Sequence, residues 1–299
     1  MRHSELIDFT LEQAAAAARD TAVRAGSLIR SRLTQPLGMR VKDASGDLVS
    51  DLDIRAEKMI LRDLRRAFPR HRVLAEESGE VDGDEPEWCW FVDPLDGTNN
   101  LAVGLQVFSI GIALCHYGTP VLGVVHEPMT GHTWSAVVGH GATGPDGPVR
   151  HTTAPRPGGA PVLAWLQGYP VGRADATAQA LRLTLEANSR RLIQLWSPQL
   201  CWIMVGRGLI HGFVGYRAGL IDFPAGSLFA RECGIEITDF DRKPLPESMD
   251  DLNGEVSFLA GELDVIDELA QVVKSVDDVV VTGLPSAPNH RAAHGERAR

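Results

Sequence analysis

Hydrophobic residues in the first half of the chain repeat first with a helical period and then in short runs. Apolar positions fall on one face over about 5–33 and again over about 53–68, which predicts two amphipathic helices. The polar, turn-forming loop 42–47 separates them. Short apolar runs further along the chain predict strands at 73–74, 88–92, 107–114, 121–126 and 133–138. Glycine and proline separate the last three runs, which indicates antiparallel pairing in this half.

The second half alternates between strand-like and helix-like segments, which is typical of an α/β arrangement. Strands are predicted at 162–166, 192–195, 211–216, 235–238 and 256–260, and helices at 177–188, 199–206, 224–233 and 265–273. A Gly- and Pro-rich stretch at 139–159 separates the two halves. The predicted organisation is an α+β half at 1–145, an α/β half at 146–283 and a disordered polar tail at 284–299.

Composition and charge restrict the classes of function. The 299 residues are 44% hydrophobic and 23% charged, as in an ordinary globular protein. With 39 acidic against 29 basic residues, the formal net charge of −10 argues against a nucleic-acid partner. No run reaches the ~18 apolar residues of a membrane span, and the first helix does not read as an export signal. The four cysteines are far apart, so we expect reduced thiols. Because the sequence shows neither a membrane span nor an export signal, we expect no membrane association and a cytoplasmic location.

The segment 93–98, Asp-Pro-Leu-Asp-Gly-Thr, follows directly after a predicted strand. The strand end places the carboxylates of Asp93 and Asp96 close together, where they can share a hard cation such as Mg²⁺. Gly97 and Thr98 then begin the next helix, whose free N–H groups form a site for a phosphate, and the Thr98 hydroxyl can orient water. An Asp-rich turn with a helix cap would use the same residues, so the segment alone leaves both interpretations open.

Three other acidic residues have both a structural and a functional interpretation. Glu76 follows a predicted strand, as Asp93 does, so both carboxylates are expected at one strand-end crevice; a solvated acidic turn is the alternative. Asp53 lies at the start of the second helix, where it would either cap the helix or take part in chemistry. Asp222 precedes a helix that begins with proline, and there an aspartate would be a cap and a metal ligand at once.

The run Trp90–Asn100 resembles the signature of the inositol monophosphatase superfamily, whose core is Asp-Pro-(Ile/Leu)-Asp-Gly-Thr. Three further segments resemble other elements of that family. Residues 47–53 resemble the segment that ends in the catalytic aspartate, 75–78 the Gly-Glu-Glu-(Ser/Thr) element, and 220–226 the distal Trp-Asp-x-x-Ala-Gly element. These elements stand in the family's order and cover nearly the whole chain. The chain is therefore identified as a member of this superfamily.

The resemblance implies a fold, a metal and a site. The implied fold is a layered αβαβα sandwich of the inositol monophosphatase / fructose-1,6-bisphosphatase type, with the metal site where the halves meet, in a protein that forms homodimers. The implied ligands of two or three Mg²⁺ ions are Glu76, Asp93, Asp96, Asp222 and the backbone carbonyl of Leu95. The implied catalytic residues are Asp53, Thr98 and Glu76. The implied substrate-binding residues are Gly97, Thr98, Asp96, Asp222 and the loop lysine Lys42.

The substrate-selecting region departs from the inositol-specific members. Ile221 replaces their tryptophan, and Gly215 stands where they carry a glutamate that binds the inositol ring. The bulky segment 196–198, Trp-Ser-Pro, replaces a small Gly-x-Ala stretch. Because hydrogen-bond partners decide such discrimination, we expect that myo-inositol monophosphate is not bound in the usual pose.

Other prominent side chains are expected to be structural. His211 stands where the family has an aspartate and is interpreted as a structural histidine. Trp165, Trp196 and Trp202 would either line a pocket or pack in the core, and core packing is expected for at least two of them.

These patterns favour a Mg²⁺-dependent phosphomonoesterase whose substrate is a sugar, cyclitol or amino-alcohol phosphate. The mechanism that the resemblance implies is attack on the phosphate by water, which Thr98 with Asp53 would orient or deprotonate, and it needs no covalent phosphoenzyme. The alternative is a protein of the same fold that works mainly by binding a macromolecular partner. A kinase or transferase lacks support, because the sequence contains no phosphate-binding loop or kinase signature.

Overall fold

A computed structural model describes the chain over residues 3–42 and 47–276, with side chains from residue 11 onward. The predicted tail 284–299 and residues 43–46 of the predicted loop lie outside these ranges. The described helices are α1 (His3–Arg32), α2 (Asp51–Ala67), α3 (Thr98–Ala102), α4 (Ala176–Ala187), α5 (Pro198–Gly206), α6 (Pro224–Glu232) and α7 (Leu263–Lys274). A short 3-10 helix spans Met249–Leu252.

The described strands form three sheets. The strands of the first half are β1 (Arg40–Val41), β2 (Leu48–Val49), β3 (His71–Ala75), β4 (Gly79–Val81), β5 (Glu85–Asp96), β6 (Ser109–His116), β7 (Thr119–Glu127), β8 (His132–Val137), β9 (Gly141–Gly144) and β10 (Gly147–Val149). Those of the second half are β11 (Val162–Gln167), β12 (Arg191–Ile193), β13 (Gly212–Gly219), β14 (Glu236–Thr238) and β15 (Glu255–Gly261). Their spatial orders are β10-β9-β8-β7-β6-β5-β3-β4, β12-β11-β13-β15-β14 and the pair β1-β2.

Strand direction differs between the two large sheets. In the eight-stranded sheet β3 and β5 are parallel, and all other neighbours are antiparallel. In the five-stranded sheet β12, β11 and β13 are parallel, whereas β15 and β14 are antiparallel to their neighbours. Each sheet therefore contains parallel strands whose carboxyl ends share one edge, which is where ligands bind in α/β folds.

The elements stack in five layers. Helices α1 and α2 pack on one face of the eight-stranded sheet, α5 and α6 lie between the two sheets, and α4 and α7 cover the outer face of the five-stranded sheet. Buried apolar side chains fill each interface, with Trp90 under α1 and α2, Trp202 and Phe258 between the sheets, and Leu181 and Leu269 on the inner faces of the outer helices. The predicted αβαβα fold is confirmed.

Short strands were the elements that the hydrophobic pattern did not predict. The long helices end within two residues of their predicted bounds, because their buried faces repeat over several turns. Strands β1, β2, β4, β9 and β10 have only two to four residues each and are mostly exposed or half-buried, so they lack a periodic apolar signal. Strand β5 runs beyond the predicted 88–92 at both ends, because backbone pairing continues past the run of consecutive apolar residues.

The eight-stranded sheet extends past the predicted end of the first half. The β9–β10 hairpin ends at Val149 and belongs to this sheet, so the strands of the first half continue beyond residue 145. The domain division at that residue stays a prediction. All four cysteines lie in the described part of the chain and are free, as expected, and three of them are buried. No described helix is long and apolar enough to cross a membrane.

A close backbone approach fixes α6 on the eight-stranded sheet. A Cβ atom at Gly123 of β7 would lie 2.4 Å from the carbonyl oxygen of Ala225, in the first turn of α6. The helix therefore rests directly on the strand, which only glycine permits. Because Asp222 precedes this helix, the contact also determines where its carboxylate lies.

Candidate metal and phosphate site

Most of the predicted site residues line a cleft of about 720 Å³ between the ends of the two sheets. Glu76 follows β3, and Asp93 and Asp96 lie at the end of the parallel strand β5. Asp222 follows β13 in the other sheet. All four residues line the cleft, as do Leu95, Gly97 and Thr98, which are named in the same prediction.

A β-bulge turns Asp93 and Asp96 toward the same side. Residues three apart in a regular strand point to opposite faces. Here Asp93 pairs with Gly111 and Asp96 pairs with Ser109, so three steps along β5 match two along β6. The extra residue restores the common orientation of the two carboxylates. Together with Asp222 they place three carboxylate oxygens within 4.8 Å of one another.

Asp96 is held by hydrogen bonds from β6 and from the start of α5. Its buried Oδ2 atom accepts hydrogen bonds from the hydroxyls of Ser109 (2.9 Å) and Ser197 (2.7 Å) and from the backbone N–H of Gln199 (2.8 Å). One oxygen is therefore occupied by the protein, and the carboxylate is fixed in orientation. Burial raises the pKa of Asp96 to about 7 although the hydrogen bonds from Ser197 and Ser109 oppose the shift.

The other carboxylates of the cluster also gain protons more readily than usual. Burial raises the pKa of Asp222 to about 7, and the neighbouring Asp96 adds to the shift. Burial raises the pKa of Asp93 well above its ordinary value, with further contributions from Glu76 and Asp96. Buried like charges of this kind need a compensating cation. Oxygen ligands in this number suit a hard divalent ion, so the cluster could hold a metal.

Lys42 supplies positive charge next to the cluster. Its Nζ atom lies 2.6 Å from Oε1 of Glu76, 2.7 Å from Oε1 of Glu77 and 3.5 Å from Oδ2 of Asp47. Burial opposes the charge on Lys42, but the two glutamates raise its pKa well above the ordinary value. Burial likewise raises the pKa of Glu76 to about 7 against the effect of Lys42. The predicted loop lysine therefore lies at the site, bonded to a predicted metal ligand.

Asp53 and Thr98 form the predicted pair. The Thr98 hydroxyl lies 2.6 Å from Oδ1 of Asp53 and 3.1 Å from the carbonyl oxygen of Leu95. Oδ2 of Asp53 accepts hydrogen bonds from the hydroxyl and the backbone N–H of Ser50. Asp53 is fully buried, and burial raises its pKa although the hydrogen bonds from Ser50 and Thr98 lower it.

The residues that cap helices α2 and α6 differ from those expected. Ser50 is the cap of α2, and Asp53, at the third helical position, completes a capping box with it. The expected capping role of Asp222 is wrong: Phe223 is the capping residue of α6, and no side-chain cap hydrogen bond is present. Pro224, the first helical residue, has no N–H, so the first turn has one fewer unpaired donor.

Backbone geometry at Gly97 explains the glycine of the motif. Gly97 has φ 115°, a value that favours glycine, and it is the residue before α3. A Cβ atom there would lie 2.9 Å from the carbonyl oxygen of Val107. Glycine is therefore required between the carboxylates and Thr98.

One part of the cleft was mostly missed by sequence reasoning. Tyr169 and Arg173, in the loop after β11, and Trp196, in the loop after β12, also line the cleft. Asn99 donates a hydrogen bond to the Tyr169 hydroxyl at 2.8 Å, and Asn100 donates one to the carbonyl of Leu195. Tyr169, Arg173 and Trp196 lie outside the recognised motifs, and only the bulk of Trp196 indicated this part of the cleft.

The remaining expectations concern single side chains. Trp202 and Trp165 are buried in the core, whereas Trp196 is exposed in the cleft. His211 is structural: it accepts a hydrogen bond from the Val162 N–H at 3.0 Å and lies 3.0 Å from the Ala154 carbonyl.

Gly215 does not shape the cleft as the sequence suggested. A Cβ atom at this position would lie 2.2 Å from the ring of Phe258, so Gly215 faces the core between the sheets. Loss of a ring-binding glutamate at position 215 is therefore not what distinguishes this cleft. The residues after β13, including Ile221, line it instead.

Comparison with known proteins assigns the chain to a family. A sequence profile of the inositol monophosphatase family matches residues 10–275, so the chain belongs to the inositol monophosphatase family. The chain is 31% identical over 224 residues to Nus factor SuhB of Escherichia coli (strain K12), with 73% of this chain and 82% of that protein covered. It is 33% identical over 197 residues to a fructose-1,6-bisphosphatase/inositol-1-monophosphatase of Thermotoga maritima, with 66% and 73% covered.

Solved structures show the same fold. The extragenic suppressor protein SuhB of Bartonella henselae superposes with a TM-score of 0.77 at 29% identity, covering 87% of this chain and 97% of that one. An inositol monophosphatase from Anabaena superposes with a TM-score of 0.74 at 25% identity, covering 89% and 97%. The relatives thus include proteins named as phosphatases and proteins named as Nus factors.

Proposed function

We propose that this protein is a Mg²⁺-dependent phosphomonoesterase that hydrolyses a small phosphorylated sugar, cyclitol or amino alcohol. The observation that carries the proposal is the trio of carboxylate oxygens from Asp93, Asp96 and Asp222, which lie within 4.8 Å of one another. A family that includes phosphatases and a cleft of small-molecule size support it.

The residues that would hold two or three Mg²⁺ ions are the three aspartates, Glu76 and the carbonyl of Leu95. Bound Mg²⁺ would supply Lewis-acid polarisation of phosphoryl oxygens and a lowered pKa for water. The cluster fits this role because its carboxylates are buried beside one another without enough positive charge. Lys42 pairs with Glu76 and would also bind the anionic substrate near the metals.

Asp53 and Thr98 would handle the proton of the attacking water. Because Oδ2 of Asp53 is occupied by Ser50, Oδ1 is the atom that accepts the Thr98 hydroxyl proton. The Thr98 oxygen then has lone pairs with which to accept a proton from water, and Asp53 is the final base. A raised pKa makes Asp53 a better proton acceptor at neutral pH. Gly97 and Thr98 would offer backbone N–H groups to the phosphoryl oxygens.

The proposal is tested by phosphate release from a panel of phosphomonoesters, with Mg²⁺ and with EDTA. We expect Mg²⁺-dependent release that Asp96→Asn abolishes, because the variant keeps the shape but removes the charge. Asp241→Asn is the matched control, since Asp241 is an exposed carboxylate far along the chain with 65% of its side chain accessible. Failure of the protein to bind Mg²⁺, together with no release from any ester, would refute the phosphatase function.

A second function, binding of a macromolecular partner, is favoured by the relatives that are named Nus factor SuhB. Under this alternative, catalysis is secondary. A strain that lacks the gene distinguishes the two: rescue by Asp96→Asn as complete as rescue by the wild type would favour partner binding. Rescue by Asp241→Asn alone would favour the enzyme.

The assembly and the location of the protein are proposed with the function. We propose a homodimer in the cytoplasm, with a small phosphate ester as the ligand and with neither nucleic acid nor membrane as a partner. The negative formal charge of −10 supports the proposal regarding nucleic acid. Sedimentation of the purified protein tests the dimer, and a single species with the mass of one chain would refute it.

A further inference from the structure

Two of the four cysteines lie directly opposite each other on neighbouring strands of the eight-stranded sheet. Cys89 of β5 pairs with Cys115 of β6 in the antiparallel ladder, and both thiols are free. Residues that pair directly across a ladder project to the same face of the sheet. Both cysteines accordingly belong to the apolar core between the two sheets, where Cys89 is 7% exposed and Cys115 is fully buried. Their side chains are therefore neighbours, although the cysteines are distant in the sequence.

The backbone spacing of this pair suits a disulfide bond. Tyr117 donates its N–H to the carbonyl of Glu87 at 2.7 Å, and hydrogen-bonded pairs alternate with non-hydrogen-bonded pairs along an antiparallel ladder. Cys89 and Cys115 stand two positions further along the same ladder, so they also form a hydrogen-bonded pair. The Cα atoms of such a pair are about 5.5 Å apart, which lies within the range of about 4.4–6.8 Å that disulfides adopt.

A disulfide at this position would be strained. The Cβ atoms of directly opposite residues are about 4.5–5.5 Å apart, whereas those of a disulfide are about 3.5–4.5 Å apart. The bond between Cys89 and Cys115 would therefore have to draw β5 and β6 together. Strained disulfides are reduced more readily than relaxed ones, so this bond would be reversible rather than permanent.

Irregular pairing on the outer side of each strand provides room for this movement. Between β3 and β5 the register shifts immediately before Cys89, where one step along β3 matches four steps along β5. Between β6 and β7 the register shifts between Leu114 and Cys115, where one step along β6 matches two steps along β7. Each cysteine thus adjoins an interruption of the ladder to its outer neighbour, and such interruptions let a strand bend.

A cavity of about 340 Å³ gives a small reagent access to Cys89. Cys89 lines this cavity together with Arg72, Tyr117 and Asp250, whereas Cys115 does not line it. Burial raises the pKa of Cys89 to about 11 although the neighbouring Arg72 lowers it, so the thiol reacts slowly at neutral pH. Burial also raises the pKa of Cys115 well above its ordinary value. Cys89 is therefore the thiol that an oxidant reaches first, and Cys115 is the thiol beside it.

We propose that Cys89 and Cys115 form a redox modification site, in which a peroxide converts the two thiols into a reversible cross-strand disulfide. The Cys89 thiolate attacks one oxygen of hydrogen peroxide, so that an S–O bond forms, the O–O bond breaks, and the released hydroxide takes up a proton and leaves as water. The Cys115 thiol then attacks the Cys89 sulfur, so that the S–S bond forms, the S–O bond breaks and a second water leaves. The two thiols lose two electrons in total, and the peroxide gains them. This site does not depend on the proposed phosphomonoesterase function.

Peptide mapping of the full-length protein tests the proposal. The protein is treated with hydrogen peroxide at pH 9, the peroxide is removed with catalase, and the remaining thiols are alkylated after denaturation. No lysine or arginine lies between Arg72 and Arg150, so trypsin leaves both cysteines of the pair in the single peptide 73–150. We expect this peptide to be two hydrogen atoms lighter and to carry no alkyl group, while the number of free thiols falls from four to two.

A second digestion identifies the linkage. Asp93 and Asp96 lie between the two cysteines, so an enzyme that cleaves after acidic residues gives two peptides that only a disulfide holds together. Excess glutathione added to the folded protein should restore both thiols, because the bond is strained. Four alkylated thiols after peroxide treatment, a disulfide between other cysteines, or a bond that glutathione does not reduce would each overturn the proposal.

Two variants assign the order of the two steps. Cys115→Ala removes the second thiol, so Cys89 should stop at the sulfenic acid, which dimedone traps as an adduct on peptide 73–150. Cys89→Ala should leave the Cys115 thiol free for alkylation, because Cys115 does not line the cavity. Dimedone labelling of Cys89 that is equal in the wild type and in Cys115→Ala would contradict the role of Cys115. The peptide map of the wild type decides the proposal even where a variant does not fold.

A matched control is available in the same core. Cys201, at 3% exposure on α5, belongs to the same apolar cluster as the pair but does not line the cavity. Cys201→Ala should therefore form the disulfide between Cys89 and Cys115 to the same extent as the wild type. Loss of the disulfide in this variant would show that Cys201 is one of the bonded cysteines, and it would overturn the assignment of the pair.

Discussion

Helices α2 and α6 both begin beside a carboxylate of the site, but the two helix starts use that carboxylate differently. At α2, Ser50 caps the helix and Asp53 completes the capping box, so both oxygens of Asp53 have protein partners. At α6, a proline begins the helix and no side chain caps it, so Asp222 has no capping role and faces the other carboxylates. A carboxylate that accepts protein hydrogen bonds is suited to positioning a proton, whereas one left among like charges is suited to a cation.

The largest expected effect tests the Asp222 side of this comparison. Asp222→Asn should lower kcat/KM for any hydrolysed ester by about 10³-fold or more, since a charged metal ligand is lost. Without metal, the same variant should raise the Tm by about 2–6 °C at pH 8, because one of several buried like charges is removed. Phosphate release and differential scanning fluorimetry in EDTA measure the two quantities. Loss of both activity and stability would show that Asp222 is structural.

The second effect tests the Asp53 side. Thr98→Val keeps the shape of the side chain but removes the hydroxyl between Asp53 and the water, so kcat should fall by about 10²–10⁴-fold with little change in KM. Thr98→Ser is the matched control, because it retains the hydroxyl and should keep most of the activity. A valine variant with more than a tenth of the wild-type kcat would argue that Thr98 does not position the water.

A smaller effect is expected at the cap itself. Ser50→Ala removes the hydroxyl that bonds both Asp53 and the Leu52 N–H, so the free energy of unfolding should fall by about 1–2 kcal/mol. The kcat should fall as well, since Asp53 loses one of its supports. Ser248→Ala, at the exposed cap of the 3-10 helix, is the control and should cost less in urea titrations. Equal losses at both caps would show that the Ser50–Asp53 contact adds nothing to ordinary capping.

The smallest effect concerns pH. The pKa values of Glu76, Asp96 and Asp222 are about 7 in the folded protein and about 4 in an unfolded chain. The folded state thus binds more protons, and this contribution to stability is complete below pH 4 and is lost as the pH rises to about 7. Without metal, the Tm of the wild type relative to Asp222→Asn should therefore fall between pH 5.5 and pH 8.

Burial lowers the pKa of His126 to about 4, so the effect of His126 on stability changes with pH in the opposite direction. Because His126 is present in both proteins, the difference in Tm between the wild type and Asp222→Asn cancels this effect. Mg²⁺ should then raise the wild-type Tm more at pH 8 than at pH 5.5, because the carboxylates are ionised there. A difference in Tm between wild type and variant that is independent of pH would contradict the pKa shifts.

The fold and the near side of the cleft could be predicted because their signals are local. The Asp93–Thr98 motif is contiguous, and the long helices have a repeating apolar face, so each could be recognised within one segment. The structure brings most of the predicted site residues to one cleft, and Asp53 and Lys42 are bonded to the lining residues Thr98 and Glu76, although their catalytic and metal-binding roles stay predictions.

Contacts between distant segments could not be predicted in the same way. Ser197 bonds Asp96 across 101 positions, and nothing about an isolated serine indicates such a partner. The capping box at α2 does have a local pattern, with a serine three residues before an acid, but the expected start of the helix was two residues late. Trp196 has φ 51°, in the left-handed region, and its neighbours Leu195 and Ser197 are bonded to Asn100 and Asp96, which lie about 100 positions away in the sequence.

The different loops of the two sheets have a consequence for divergence among relatives. An insertion or deletion at the β5 bulge would turn Asp93 and Asp96 to opposite faces, so natural selection should tolerate no change of length there. The loops after β11 and β12 carry none of the carboxylates, and their length can vary without moving them. New substrate preferences in this lineage should therefore arise from indels in the loops after β11 and β12, while the β5 segment is inherited at constant length.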